Sequence, residues 1–294
     1  MNSGINNSYQ IITDATVDIN IEMLNGLPPL EIIPMEVQIA SKNYSYGPYG
    51  DLDISEFYSL LREGNFAGTC QISPFVYTET FEKYLTQNKD VLYLSFSSGM
   101  SGTYASACMV AKELNGSYPN KVICIDTLDA SLGLGLLTIN ALTKQKEGQS
   151  IEQVALWAKN QRLSIAHRFT IDTFDHLKHG GRVSSQTAAI GTLLQVKPLL
   201  RINEEGKLVV MEKPKGHKKA ISALLSHVLQ KINPSMSKEL LIGHCDNLED
   251  AKLLKKSINE CLPDYNTYIT DIGPIIGCHT GPGMLAVAYY STLR

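Results

Sequence analysis

The sequence predicts an α/β protein in two parts: a mostly parallel sheet with flanking helices, then an α+β unit built on a mixed sheet. Three observations carry this. Up to about residue 164, short apolar runs alternate with helix-like stretches, the pattern of parallel strands joined by crossover helices. After it, two apolar runs flank Glu204-Glu-Gly206, a hairpin signal, and strand–helix–strand runs follow. The 294 residues, 44% of them hydrophobic, suffice for two ordinary domains with real cores. No low-complexity linker or repeat lies between residues 1–164 and 165–294, so the two domains should pack closely.

Taken in order, Tyr9-Gln-Ile-Ile-Thr13 reads as a buried strand with Asp14, Thr16 and Asp18 at its C-terminal end. Residues 30–39 form a second β-like run in which Pro34 marks an edge or bend. Residues 44–50, rich in Tyr and Gly, read as loop. A helix over 54–61 has Asp53 as its cap and Gly64 as its stop. Ser73-Pro74 opens a helix to about residue 86, because Pro suits the first helical turn; Thr69 and Gln71 precede it on a loop. Residues 91–96 and 122–125 are strands, the latter ending at Asp126 and Thr127, while 104–114, 131–146 and 151–161 are helical. In the second part, 168–172 is β-like, 176–182 a turn-rich connector and 184–194 a short helix. Strands at 198–203 and 207–211 form the hairpin, and a helix spans 217–232. A strand at 239–244, a helix at 248–261 and a strand at 265–272 come next. Residues 277–283 read as a glycine-rich turn and 284–290 as an apolar closing element.

The bulk properties narrow the function. A net charge of -3 with no long basic run gives no reason to expect nucleic acid or an anionic membrane as partner. Lys213, Lys215, Lys218 and Lys219 form the densest basic patch, which reads as a solvated face. The polar N-terminus lacks the regions of a secretory signal, and no apolar run approaches the ~20 residues of a membrane span. None of the six cysteines forms a C-x-x-C pair, as expected of a reduced, cytoplasmic protein without a zinc site.

The stretch with most chemical content is Ser97-Ser-Gly-Met-Ser-Gly-Thr103, between a strand and a helix. Free N–H groups at a helix start and the helix dipole favour an anion, and glycine lets a ligand approach the backbone. The anion can be a phosphate or a carboxylate, and the plain alternative is a helix cap by Ser101 or Thr103. In open parallel sheets ligands bind beyond the carboxyl ends of the strands, where Asp14, this stretch and Asp126 all fall. There is no G-x-S-x-G elbow, no P-loop and no dinucleotide fingerprint. Asp172, Asp175, His176 and His179 lie close together, but no third metal-ligand group completes a site. The glycines of Ser131-Leu-Gly-Leu-Gly135 suit close helix packing rather than phosphate. What remains is binding chemistry: hydroxyls around Thr69 and Ser98–Ser101, and the turn at His279, with no resident cofactor and no evident general base. Hydrogen bonds to a charged acceptor contribute roughly 1.5–3 kcal/mol each.

Five short motifs in order resemble the DegV family of bacterial fatty-acid-binding proteins. Ile12-Thr-Asp-Ala-Thr-Val-Asp18 is similar to the family's T-D-S-T-A-D, and Thr69-Cys-Gln-Ile-Ser73 to T-S-Q-P-S. Ser97-Ser-Gly-Met-Ser-Gly-Thr-Tyr104 resembles S-S-x-L-S-G-T-Y. Gly180-Gly-Arg-Val-Ser184, Ile190-Gly-Thr-Leu-Leu194 and Lys197-Pro-Leu-Leu200 resemble its central block, and His279-Thr-Gly-Pro-Gly283 its closing motif. The resemblance implies two domains with a long-chain fatty acid in an apolar tunnel between them. It implies a carboxylate held by Thr69, Ser101 and the Gly102 N–H, with Ser98, His279 and Arg182 near the mouth. It further implies a carrier without catalysis of its own, which presents the acid to a separate ATP-dependent fatty-acid kinase for phospholipid synthesis. The alternatives are a lipid-responsive regulator, or a hydrolase or kinase-type enzyme using His279 with Ser98 or Ser101. Burying a sixteen-carbon chain at about 0.8 kcal/mol per CH₂ gives roughly ten kcal/mol or more of gross driving force, so the headgroup contacts chiefly set orientation. Two departures stand out. Cys70 and Ile72 replace the Ser and Pro of the second motif, and Lys213-Pro-Lys-Gly-His-Lys-Lys-Ala220 carries Lys or His where many relatives carry Arg. Lys is the poorer bidentate phosphate partner, so this second departure bears on kinase coupling.

Overall fold

The computed structural model describes residues 8–183, 196–292 and 294. The chain opens with β1 (Tyr9–Asp14), then β2 (Leu30–Ile33) and β3 (Met35–Ile39). Pro34, which has no N–H for a ladder, separates two strands that go to different sheets. β4 (Lys42–Tyr46) pairs antiparallel with β3. Its range covers residues expected to be loop. The turn is made by Ala40 and Ser41, both at positive φ (49° and 62°), without the Asn-Gly signature that such turns favour. α1 (Ile54–Arg62) is capped by the Asp53 carboxylate, which accepts the Ser55 and Glu56 N–H groups. β5 (Ala67–Thr69) adds to β3, so Thr69 ends a strand instead of lying in a loop. α2 (Pro74–Leu85) starts at Ser73-Pro74 as expected.

β6 (Asp90–Ser95), α3 (Thr103–Leu114), β7 (Val122–Asp126), α4 (Ser131–Lys146) and α5 (Ile151–Gln161) complete the first part. A 3₁₀ turn, Arg162–Ser164, leads into β8 (Ile165–Thr170) and the short α6 (Asp175–His179). The predicted helix at 184–194, and the motif pieces within it, lie outside the described residues. The hairpin β9 (Leu199–Ile202) and β10 (Leu208–Glu212) follows. Then come α7 (His217–Lys231), β11 (Glu239–His244), α8 (Leu248–Cys261) and β12 (Asn266–Asp271). α9 (Pro274–Thr280) and β13 (Leu285–Tyr290) close the chain. The expected turn at 277–283 is therefore half helix: Pro274 opens α9, and Gly281 (φ +73°) ends it.

The parallel sheet has the order β2-β1-β6-β7. The mixed sheet runs β10-β9-β8-β13-β11-β12, antiparallel except for β11–β12. A small antiparallel sheet, β4-β3-β5, was not evident in the sequence. α4 joins the layers: Ser131 to Thr138 are all buried, and the helix packs on β1 and β6 of one sheet and β8, β11 and β13 of the other. One core runs from the parallel sheet through α4 to the inner face of the mixed sheet. A second lies between its outer face and α7 and α8, with Leu199, Leu224, Leu240 and Leu254 fully buried. Gly135 serves the close packing inferred for it, since a Cβ there would lie 2.6 Å from the Asp18 carbonyl oxygen.

Candidate functional site

Strand ends and helix starts of both parts converge on one cavity holding about 740 Å³ of space free of atoms, its mouth included. Its walls are chiefly apolar: Met35 from β3, Phe96 and Met100 after β6, Phe169 from β8, Ile202 and Leu208 from the hairpin, and Ile275 from α9. A side chain that alternates inward on each strand puts these groups on the cavity side.

Thr69, Ser101, Arg182 and His279 all line this cavity. Thr69, at the end of β5, has its Oγ1 3.0 Å from His279 Nε2. Burial, then the nearby Arg182, His179 and His176 charges, hold His279 down to about 4, so the ring is neutral at pH 7. Its Nδ1 is buried without a partner among the described residues. The ring is seated on Gly180, where a Cβ would come within 2.2 Å of Nδ1. Ser101 Oγ lies 2.8 Å from Thr103 Oγ1 and accepts the Thr103 N–H at 3.3 Å. The cap residue of α3 is Gly102, yet Ser101 serves the helix start and faces the cavity at once. Arg182 donates to the Gly180 carbonyl, and burial lowers its pKa from the usual guanidinium value. Together with Met100 and Leu208 it also borders an outer cleft that includes Lys207, so the hydroxyl end of the cavity lies beside a cationic opening.

Two of the sequence candidates lie elsewhere. Ser98 is exposed and does not line the cavity; its N–H is bound by Asp126 Oδ1 at 3.1 Å. Gly102 is also exposed and does not line the cavity, although a Cβ on it would come 3.0 Å from the Gln71 amide. Gln71 itself lines the cavity, as do Thr16, Ser131 and His167, which the sequence did not single out as site residues. The basic residues Lys213, Lys215, Lys218 and Lys219 are solvent-exposed.

The family model described as "Uncharacterised protein, DegV family" matches residues 8–292. The chain belongs to the DegV family. A DegV domain-containing protein of Clostridium perfringens is 38% identical over 282 residues, covering 96% of this chain and 97% of its own. A DegV protein of Thermus thermophilus, whose solved structure is described as fatty-acid binding, superposes with a TM-score of 0.85 at 28% identity, covering 97% of this chain and 99% of its own. The Fak B3 (fatty acid kinase) protein of Streptococcus pneumoniae, solved with linoleic acid, has the same TM-score of 0.85 at 20% identity over 97% and 99% of the two chains. That likeness shows a common fold. The α/β architecture with its parallel and mixed sheets is thus the DegV architecture.

Proposed function

We propose that this DegV protein binds a long-chain fatty acid, with the acyl chain in the cavity and the carboxylate at Thr69, Ser101 and Arg182. One observation supports the reading above the others: an apolar cavity whose polar end presents two hydroxyls, a neutral imidazole and a half-buried guanidinium. A carboxylate only accepts hydrogen bonds, so Thr69 must give it the hydroxyl proton. His279 then serves Thr69 by donating its Nε2–H to Oγ1, which a neutral ring with its proton on Nε2 can do. In this reading His279 orients and Thr69 binds. Burial of the acyl chain supplies most of the affinity, and the polar end fixes which way the acid points.

The protein acts as a carrier with neither cofactor nor chemistry of its own, and it offers the carboxylate through the opening at Arg182 to a separate kinase. The family resemblance supports the kinase, while Lys213-Pro-Lys-Gly-His-Lys-Lys-Ala220 carries Lys or His where many relatives carry Arg. Native mass spectrometry of purified protein should show one co-purifying long-chain acid, and the delipidated chain should take one back. Protein that stays empty after addition of lipid overturns the binding reading. Transfer of phosphate from ATP to the bound acid only when a fatty-acid kinase is added supports the carrier role; turnover by this chain alone overturns it.

A further inference from the structure

The cavity has a second polar patch. His167, only 2% exposed, lines it together with Thr16 and Ser131, which are 1% exposed each. The ring of His167 is fixed: its Nδ1 lies 3.0 Å from Asp129 Oδ1. The same carboxylate accepts the Ala130 N–H at 2.9 Å and pairs with Arg294 at 2.7 Å. Leu128 and Ser131, on either side of this segment, are both held at positive φ (53° and 48°), a conformation that non-glycine residues adopt only when the surroundings impose it. A neutral ring that gives its Nδ1–H to the Asp129 carboxylate keeps a lone pair on Nε2. That Nε2 is buried and has no partner among the described residues. The hydroxyls of Thr16 and Ser131 are engaged by Asp14 and Asp18, at 2.5 Å each, which leaves His167 Nε2 as the unpartnered atom of the patch among the described residues. The patch therefore offers a free acceptor at Nε2, and the ligand group that answers it is one carrying a proton.

The patch is also well separated from the carboxylate end. Asp18 joins Ser131 to the Gly273 N–H at the start of α9, whereas His279, beside Thr69, is near its end. Six residues of helix at about 1.5 Å each set Gly273 and His279 roughly 9 Å apart along the axis.

We propose that His167 reads a hydroxyl in the middle of the bound chain, so that the protein prefers a mid-chain hydroxy acid to the plain acid of equal length. The inference rests on the fatty-acid reading above. The test uses delipidated full-length protein with octadecanoic acid, its single-hydroxyl positional isomers and a mid-chain oxo analogue. At least one mid-chain isomer should bind roughly 3–10-fold tighter than the plain acid, the worth of one net hydrogen bond. The oxo analogue, which has no proton to give, should gain nothing. In His167→Phe the ratio of hydroxy-acid to plain-acid affinity should fall to about one; if that variant does not fold, the wild-type series decides alone. Equal affinities throughout the series, as expected if a buried water already satisfies Nε2, or an oxo acid that binds as well as the hydroxy acid, overturn the inference. Failure to bind even octadecanoic acid is distinguishable from both, since it removes the fatty-acid reading and this one with it.

Discussion

Thr69 and Ser101 are the hydroxyls on which the carboxylate reading rests, and each can be removed without opening the core. Loss of one hydrogen bond to a charged acceptor costs about 1.5 kcal/mol or more, so Thr69→Ala should raise the fatty-acid Kd roughly ten-fold. Adding Ser101→Ala should raise it further, by less than a second independent factor because both groups serve one headgroup. Isothermal titration with one acid checks both, and unchanged affinity in the double variant counts against the assignment. His279 and Asp18 make a second pair of predictions. His279 is held at about 4 against an ordinary 6.5, so the unfolded chain takes the proton first. Its contribution to stability is full above about 6.5 and is lost as pH falls through about 4. Asp18 is opposite: burial raises it from 3.8 to about 7, against the hydrogen bonds from Ser131 and Gly273 that lower it. Its contribution is full below 3.8 and is lost as pH rises through about 7. The two slopes oppose each other over most of that interval. Asp18→Asn should therefore make stability fall more steeply on acidification, and His279→Gln should make it fall as pH rises. Urea midpoints taken across this range check the signs, and curves parallel to wild type contradict them. The sequence made Thr69, Ser101 and His279 legible because hydroxyl-rich and glycine-rich motifs stand out locally. His167 became legible only once Asp129, nearly forty positions away, was seen to hold its ring.

Among the elements, those with local signals were readable. Asp53, Ser73-Pro74 and the fully apolar run of β6 marked their elements within a residue or two. β4 was not readable, since its alternating partly exposed residues form an edge strand whose turn lacks glycine. α9 was misread as a turn because its glycine is chosen by packing: a Cβ on Gly277 would come 2.5 Å from the Tyr58 hydroxyl. The same kind of contact joins the β9–β10 hairpin to the loop after β6. Ser97 donates to the Gly206 carbonyl at 2.8 Å, and a Cβ on Gly99 would lie 2.4 Å from the Glu205 carbonyl oxygen. Gly99→Ala should therefore push the hairpin away from the loop that carries Ser101. The expected result is a loss of about 1–3 kcal/mol of stability, the usual cost of overpacking, with weakened fatty-acid binding. Gly68→Ala, which meets no atom within 4 Å, is the control. If both variants keep wild-type denaturation midpoints and affinity, the hairpin does not depend on this contact.

At the scale of the molecule, α4 decides how the two parts behave. Its buried face is not a stripe, because residues 131–137 are all buried, with both sheets, α5 and the segments around Asp18 and Asp129 packed against the helix. β13 lies between β8 and β11 in the middle of the mixed sheet, so that sheet closes only when β13 has taken its place. The main hydrophobic core includes residues of both parts without a break. The parts recognised in the sequence at residue 164 are thus two folding patterns that share one interior. A fragment of residues 1–164 would expose the α4 side that packs on β8, β11 and β13, an apolar area that marks a sticky or molten species in water. The whole chain is expected to lose near-UV and far-UV circular dichroism together in a single transition, and the fragment to aggregate or lack near-UV signal. A fatty acid at about 100 times its Kd should raise the stability of that transition as a whole by about 2.7 kcal/mol, because its cavity is walled by the mixed sheet on one side and by the small sheet and the loops after β1 and β6 on the other. Two resolved transitions, with only one shifting on addition of the acid, would show that the interior is divided after all.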